Sequence, residues 1–189
     1  FSRERERSVL TISDIFNTPP ESFDTPLQQK TYAALLHLGI PFARVKTDEA
    51  ITMADCVQID QKLDMKMVKT LFLCNRQQTA FFLFITAGDK PFCSKAFSQA
   101  LGVARVSFAP AEQMERMLGT KIGAATVFSA LLDSARAVQV VIDQAVASEE
   151  WYGCSDGTTT GYLKISTARI LRDFLPFTGH TPTIIGTNG

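Results

Sequence analysis

Lys69 stands at the mouth of an apolar run, Thr70-Leu71-Phe72-Leu73, with Lys66 a helical turn earlier in the stretch MKMVKTLFLCNR. An ammonium in that place either reaches water from a strand end along an apolar surface or points into a pocket for a negatively charged ligand. A second feature is Gly119-Thr120-Lys121-Ile122-Gly123-Ala124-Ala125-Thr126, leading into Val127-Phe128. Glycine and alanine let main chain approach a ligand closely, and free N–H groups suit an oxyanion or a carbonyl under attack. The plain alternative is a helix-to-strand connection. Ser155-Asp156, in GCSDGTTTG, sets a hydroxyl beside a carboxylate but has no base nearby in sequence, and it reads first as a Ser-Asp-Gly turn. Cys74 next to Arg76 has a core reading as a strand cysteine. The phosphate-cradling patterns GxxxxGK[ST] and GxGxxG are absent, as is the GxSxG nucleophile elbow.

The elements that must position these residues follow from periodicity and punctuation. Pro26 opens an amphipathic helix, PLQQKTYAALLHLG, closed by Gly39, with His37 in its last turn. IPFARVKTDEAI predicts a strand, a turn at Thr47-Asp48-Glu49 and a return; MADCVQIDQKL predicts a short helix. TLFLCNRQQTAFFLFIT predicts a hairpin whose second strand is too apolar to be half exposed, and so is central in its sheet. A helix KAFSQALG, a strand ARVSFA and a helix PAEQMERMLG with Pro110 in first position come next. SALLDSARAVQVVID predicts two strands around Asp133-Ser134-Ala135-Arg136. The Gly/Thr-rich loop then leads to the strand YLKIS, a helix TARILRDFL and a terminal strand TPTII. Strands outnumber helices and βαβ alternation is absent. The class is therefore mixed α+β, with a central mixed, largely antiparallel sheet or partial barrel and helices around it. Residues 1–24 read as an arm, in which Arg3-Glu4-Arg5-Glu6-Arg7 is a solvated helix face, and residues 25–189 as one domain.

Composition narrows the classes further. The chain has 189 residues, 46% hydrophobic, and no apolar stretch long enough for a membrane span. Its start, FSRERERSVL, does not read as a secretory signal. Four scattered cysteines without a CxxC pair fit reduced thiols and a cytoplasmic location, not a disulfide framework. With only His37 and His180, a histidine metal centre is not expected, and no cofactor is. Lysine plus arginine equal aspartate plus glutamate, 19 against 19, so a nucleic-acid partner would need a local patch such as Lys62, Lys66, Lys69 and Lys121.

In their order, these stretches resemble the YbaK/prolyl-tRNA-synthetase-associated editing domains, in particular the free-standing branch that clears alanine from proline tRNA (the ProXp-ala and PrdX-like proteins). Lys69-Thr70-Leu71-Phe72-Leu73 resembles the K-N-L-F-L signature, and IGAATVFSALLD the G-S-V-T-P-F glycine loop. GCSDGTTTGYLKIS is similar to the G-C-H-P-x-x-N-T stretch, and FLPFTGHTPTII to the closing F-L-x-x-T-G-H-x-P. Ser155 and Asp156 stand where the family shows His-Pro, Thr159 where it shows Asn, Val127 in place of the proline and Thr70 in place of the asparagine.

The resemblance implies a metal-free aminoacyl-tRNA deacylase acting on Ala-tRNA(Pro). The tRNA acceptor end is its partner, and prolyl-tRNA synthetase a second one that would hold the tRNA. Lys69 would anchor the acceptor end, and Gly123, Ala124 and Ala125 would supply backbone donors and a small cavity. Thr70, Thr126, Val127, Ser155, Asp156, Thr159 and Thr160 would line the substrate. The adenosine's own 2′-hydroxyl assists in that family, so no triad is required. Two other readings stay open: a binding module of the same fold without turnover, suggested by Ser155-Asp156, and a deacylase for another small residue such as cysteine or serine, suggested by Val127 and Thr70.

Overall fold

In the computed structural model, which describes residues 10–49 and 52–187, two sheets share one core. The chain runs α1 (Pro26–His37), β1 (Phe42–Lys46), α2 (Met53–Leu63), β2 (Val68–Asn75), β3 (Phe81–Ala87), α3 (Ser94–Leu101), β4 (Val106–Phe108) and α4 (Ala111–Leu118). Two 3₁₀ turns follow, Val127–Leu131 and Asp133–Ala135. Then come β5 (Gln139–Asp143), α5 (Gln144–Ala147), β6 (Trp151–Ser155) and β7 (Gly161–Ser166). A helical run closes the fold as α6 (Thr167–Arg169), a π turn (Ile170–Phe174) and α7 (Leu175–Phe177), before β8 (Thr183–Ile185).

The larger sheet has the order β4-β2-β3-β5-β8, antiparallel from β4 to β3 and parallel from β3 to β8. The smaller sheet, β1-β7-β6, is antiparallel throughout. Outside the named strands, a bridge between Met67 and Gly153 joins the two. β3 is central, as its uninterrupted Phe81-Phe82-Leu83-Phe84-Ile85 demands. The fold is the mixed α+β arrangement expected.

Side chains alternate across each strand, and the large sheet uses this to separate two cores. Val68, Ile85, Val140 and Ile142 face inward, packed with Tyr152, Cys154, Leu163, Phe128 and Phe174. Leu71, Leu73, Phe82, Phe84 and Val141 face outward under Phe92 and Phe97.

Several elements depart from expectation. Among the described residues no return strand follows Thr47, and Ala50 and Ile51 of the expected return lie outside them; Thr52 caps α2 with a reciprocal bond to Asp55. Pro110 is the N-cap of α4, not its first residue. The strand expected before Asp133 is a 3₁₀ turn, because the Thr126 hydroxyl caps Phe128 N–H and the Ser129 hydroxyl donates to Leu118 O at 2.7 Å. Gly153, Cys154 and Ser155, expected in the Gly/Thr-rich loop, belong to β6. Gly153 admits a neighbour, since a Cβ there would lie 2.6 Å from the Met65 sulfur. The arginine–glutamate alternation at residues 3–7 lies outside the described residues. Residues 10–16 run beside β1, with bridges Ile12–Thr47 and Phe16–Arg44.

Candidate functional site

α4 ends at Gly119 in the left-handed region, φ 66°, and the chain turns into the glycine loop. Gly123 has φ 91°, a conformation glycine adopts without strain, and a Cβ there would meet nothing within 4 Å. The residue is needed for its backbone, not for space. The Ala124 N–H closes a turn on Lys121 O at 3.1 Å. The N–H groups of Gly123, Ala125 and Val127 have no partner among the described residues. Ala124, Thr126 and Val127 are buried, Ala125 half-buried and Gly123 exposed. The Thr120 hydroxyl, also buried, has no hydrogen-bond partner either. Such a loop offers unspent amide donors beside small side chains, which is what a developing oxyanion requires.

The Thr126 hydroxyl donates to Ser155 O at 2.7 Å and so ties the glycine loop to the loop at residues 155–160. In that second loop the polar groups serve the loop itself. Ser155 Oγ donates to Thr158 O at 2.7 Å and accepts from Gly157 N–H at 3.0 Å. Asp156, 1% exposed, accepts from Gln28 Nε2 at 2.9 Å and Tyr32 Oη at 2.8 Å on one oxygen. On the other it accepts from Thr158 N–H at 3.2 Å and Thr158 Oγ1 at 2.7 Å. Gly161 lets the carboxylate sit there, because a Cβ would lie 2.2 Å from Oδ2. Thr159 O accepts from Tyr162 Oη and Thr160 O from Thr47 N–H. Ser155 and Asp156 are thus held in a fixed network, with no acceptor position of the carboxylate turned to solvent. Burial and then the Asp156 charge push the Tyr32 hydroxyl up. The same two causes push the Cys154 thiol up against a smaller opposing effect of Thr126, so Cys154 is no thiolate nucleophile.

Strand alternation decides where the two lead residues go. Thr70 shares the inner face with Val68 and Ile85, and so with Val127 of the glycine loop. Burial and then Cys154 push the Tyr152 hydroxyl up against a smaller opposing effect of Thr70, and among the described residues that hydroxyl has no hydrogen-bond partner. Lys69 falls on the outer face, opposite Thr86. The structure therefore ties Thr126 of the glycine loop to Ser155, sets Thr70 on the inner face of the sheet and sets the Lys69 side chain on the other side.

On the outer face the Lys69 ammonium donates to Lys90 O. The Lys90 ammonium in turn meets Asp143 Oδ2 at 2.8 Å, and that oxygen also accepts from Thr86 Oγ1 at 2.8 Å and Thr187 Oγ1 at 3.0 Å. Burial pushes the Asp143 carboxyl up, but Lys90, Thr86, Ala145 N–H and Thr187 outweigh it and hold it below the usual carboxylate range. A depressed carboxyl contributes stability above its unfolded pKa, about 4, and loses it as pH falls through the folded value. Asp143→Asn is thus expected to flatten the acid limb of stability below about pH 4, read by urea melts across pH. An unchanged acid limb would refute this assignment.

Sequence reasoning missed Gln28, Tyr32, Tyr152, Lys90 and Asp143. Gln28 and Tyr32 did leave a signal: polar groups spaced i, i+4 on the face of α1 that carries Leu27, Thr31 and Leu35. Asp143, closing the apolar run Val140-Val141-Ile142, left another.

Among the described residues no cluster of three His, Cys, Asp or Glu side chains is placed to hold a metal, and no helix is long and apolar enough to cross a membrane. Comparison with known proteins bears on the same region. The prolyl-tRNA editing protein ProX of Acetoanaerobium sticklandii is 26% identical over 121 residues, 64% of this chain and 74% of that protein. Prolyl-tRNA synthetase associated domain-containing protein 1 of Danio rerio is 25% identical over 161 residues, 84% and 86% of the two chains. A crystal structure described as a candidate trans-editing enzyme for prolyl tRNA synthetase shares the fold, with TM-score 0.62 at 15% identity over 89% of this chain and all of that one. The aminoacyl-tRNA editing domain matches residues 47–172, a span that encloses Lys69, the glycine loop and the 155–160 loop, and the chain belongs to that family.

Proposed function

We propose that this protein hydrolyses mischarged aminoacyl-tRNA in trans, with Ala-tRNA(Pro) as substrate and without a metal. The observation that carries this reading is the set of N–H groups at Gly123, Ala125 and Val127 that have no partner among the described residues, inside the family match. An aminoacyl-tRNA is an activated ester. Water adds to its carbonyl carbon, the negative charge gathers on the carbonyl oxygen, and collapse breaks the bond to the terminal ribose oxygen. The amino acid leaves as a carboxylate and the tRNA regains its hydroxyl. Fixed amides stabilise the charge that develops, and no side-chain nucleophile is needed. Small residues such as Ala124 and Ala125 would leave room for a small side chain, which is selection by size. Thr70, on the inner face of β2, and Thr159 and Thr160 would line the same substrate.

Lys69 takes a different role from the amides, because it lies across the sheet from them. In this reading a single-stranded acceptor end would place a phosphate at the Lys69 ammonium while its aminoacyl terminus sits at the glycine loop. A flexible ammonium suits such a point contact. With zero net charge, the protein gains from a synthetase that presents the tRNA, and the cytoplasm, where charged tRNA is used, is the proposed location.

Labelled Ala-tRNA(Pro) incubated with wild type and Lys69→Ala tests the reading. The variant is expected to lose about tenfold in kcat/KM at low salt, a loss near 1.4 kcal/mol. Its salt slope should flatten by about 0.7, the value for one single-stranded phosphate contact. Absence of deacylation by wild type on alanyl, seryl and cysteinyl tRNAs would remove the proposal.

One observation favours a binding module instead: every acceptor position of Asp156 and the hydroxyl of Ser155 are occupied within the fold. Saturable binding of an aminoacyl analogue without turnover on that same panel would establish it. Turnover of serine or cysteine in preference to alanine would establish the third reading.

A further inference from the structure

We infer that Lys90 and Asp143 are positioning residues for Lys69. This rests on the reading in which the Lys69 ammonium meets an acceptor-end phosphate.

The segment that receives Lys69 is fixed through Lys90. Lys90 N–H donates to Ala87 O at 3.0 Å and closes the turn that leaves β3. Gly88 runs so close to the start of β2 that a Cβ there would stand 2.5 Å from Met67 O. Pro91 follows, which drives Lys90 towards an extended backbone and prevents the turn from continuing as helix. The Lys90 side chain is drawn inward onto the buried Asp143 and onto Thr187 O. Its carbonyl is left to accept from Lys69.

The two lysines are consequently unlike. Lys90 is neutralised by a carboxylate that is 1% exposed. Lys69, half-buried, has no ion pair among the described residues. An ammonium carries three donors, and the Lys90 carbonyl takes one of them, which orients the other two without cancelling the charge. A free lysine side chain would have to surrender rotamer entropy on meeting a phosphate. Holding it beforehand removes much of that loss. Thr86, directly opposite Lys69, and Thr187 donate to the same Asp143 oxygen and complete the clamp.

Deacylation of Ala-tRNA(Pro) by wild type, Lys90→Met, Lys90→Arg, Lys69→Ala and the Lys69→Ala/Lys90→Met pair tests this, with KM and kcat resolved separately. Lys90→Met should raise KM about fivefold with kcat nearly unchanged. Lys90→Arg, which keeps the ion pair, should restore at least half of the effect. On the Lys69→Ala background, Lys90→Met should raise KM less than twofold, because the group it positions is gone. A fivefold rise on both backgrounds would overturn the inference and leave Lys90 a purely structural residue. If Lys69→Ala itself left KM unchanged, the assignment of Lys69 to the phosphate would fail instead. Should Lys90→Met not fold, Thr187→Val removes one donor to Asp143, and a smaller KM rise, again absent on the Lys69→Ala background, is expected; equal rises on both backgrounds would overturn it.

Discussion

Replacing Asp156 with alanine is expected to lower unfolding free energy by about 3 kcal/mol, read from urea melts. The carboxylate accepts from Gln28 Nε2, Tyr32 Oη, Thr158 Oγ1 and Thr158 N–H in a region closed to water. Alanine strands all of these donors, and a buried unsatisfied donor costs about 1–3 kcal/mol. The sum stays well below the simple total for two reasons. The wild type keeps a charge buried without a cation, which is itself unfavourable, and the loop at 155–160 can relax towards water. Asp156→Asn should fall between the two proteins, since it keeps an acceptor but turns an amide towards donors. A loss under about 1 kcal/mol for the alanine variant would mean that the carboxylate does not anchor this loop to α1.

Phe128→Ala should have the larger effect, a loss of about 4 kcal/mol, in the range for deleting a buried phenyl ring. Phe128 is fully buried, and its ring stands edge-on to Phe174 at 5.0 Å and 71°. It also fixes the exit of the glycine loop, since its N–H meets the Thr126 hydroxyl. Phe128→Leu should lose much less, because most of the apolar contact survives. Equal losses for the two variants would show that the ring contact with Phe174, and not apolar bulk, holds this site, and a loss below about 2 kcal/mol for alanine would show that the space refills.

Much of the scaffold was legible because its signals are local. Pro26 and Gly39 bracket α1, Gly102 and Gly119 stop α3 and α4 in the left-handed region, and the run from Phe81 to Ile85 marks a central strand. The misread segments are those where an apolar run serves a turn. Val127-Phe128-Ser129-Ala130-Leu131 has the composition of a buried strand, and only the hydroxyls of Thr126 and Ser129 turn it into a 3₁₀ element. Of the site, the loop at Gly123 could be seen because its small residues are contiguous. The relation between Lys69 and that loop could not, because it depends on strand parity. A one-residue change of register moves a side chain through the sheet, and no local pattern fixes which face the loop returns to. The same limit hid Asp156: its partners lie more than a hundred positions earlier, at Gln28 and Tyr32.

The brevity of β4 and β8, three residues each, bears on how the protein behaves in crowded solution. They are the outermost strands of the large sheet, and each exposes too few main-chain groups to template a neighbouring molecule. The long, phenylalanine-rich β3 is kept from intermolecular pairing by its place between β2 and β5.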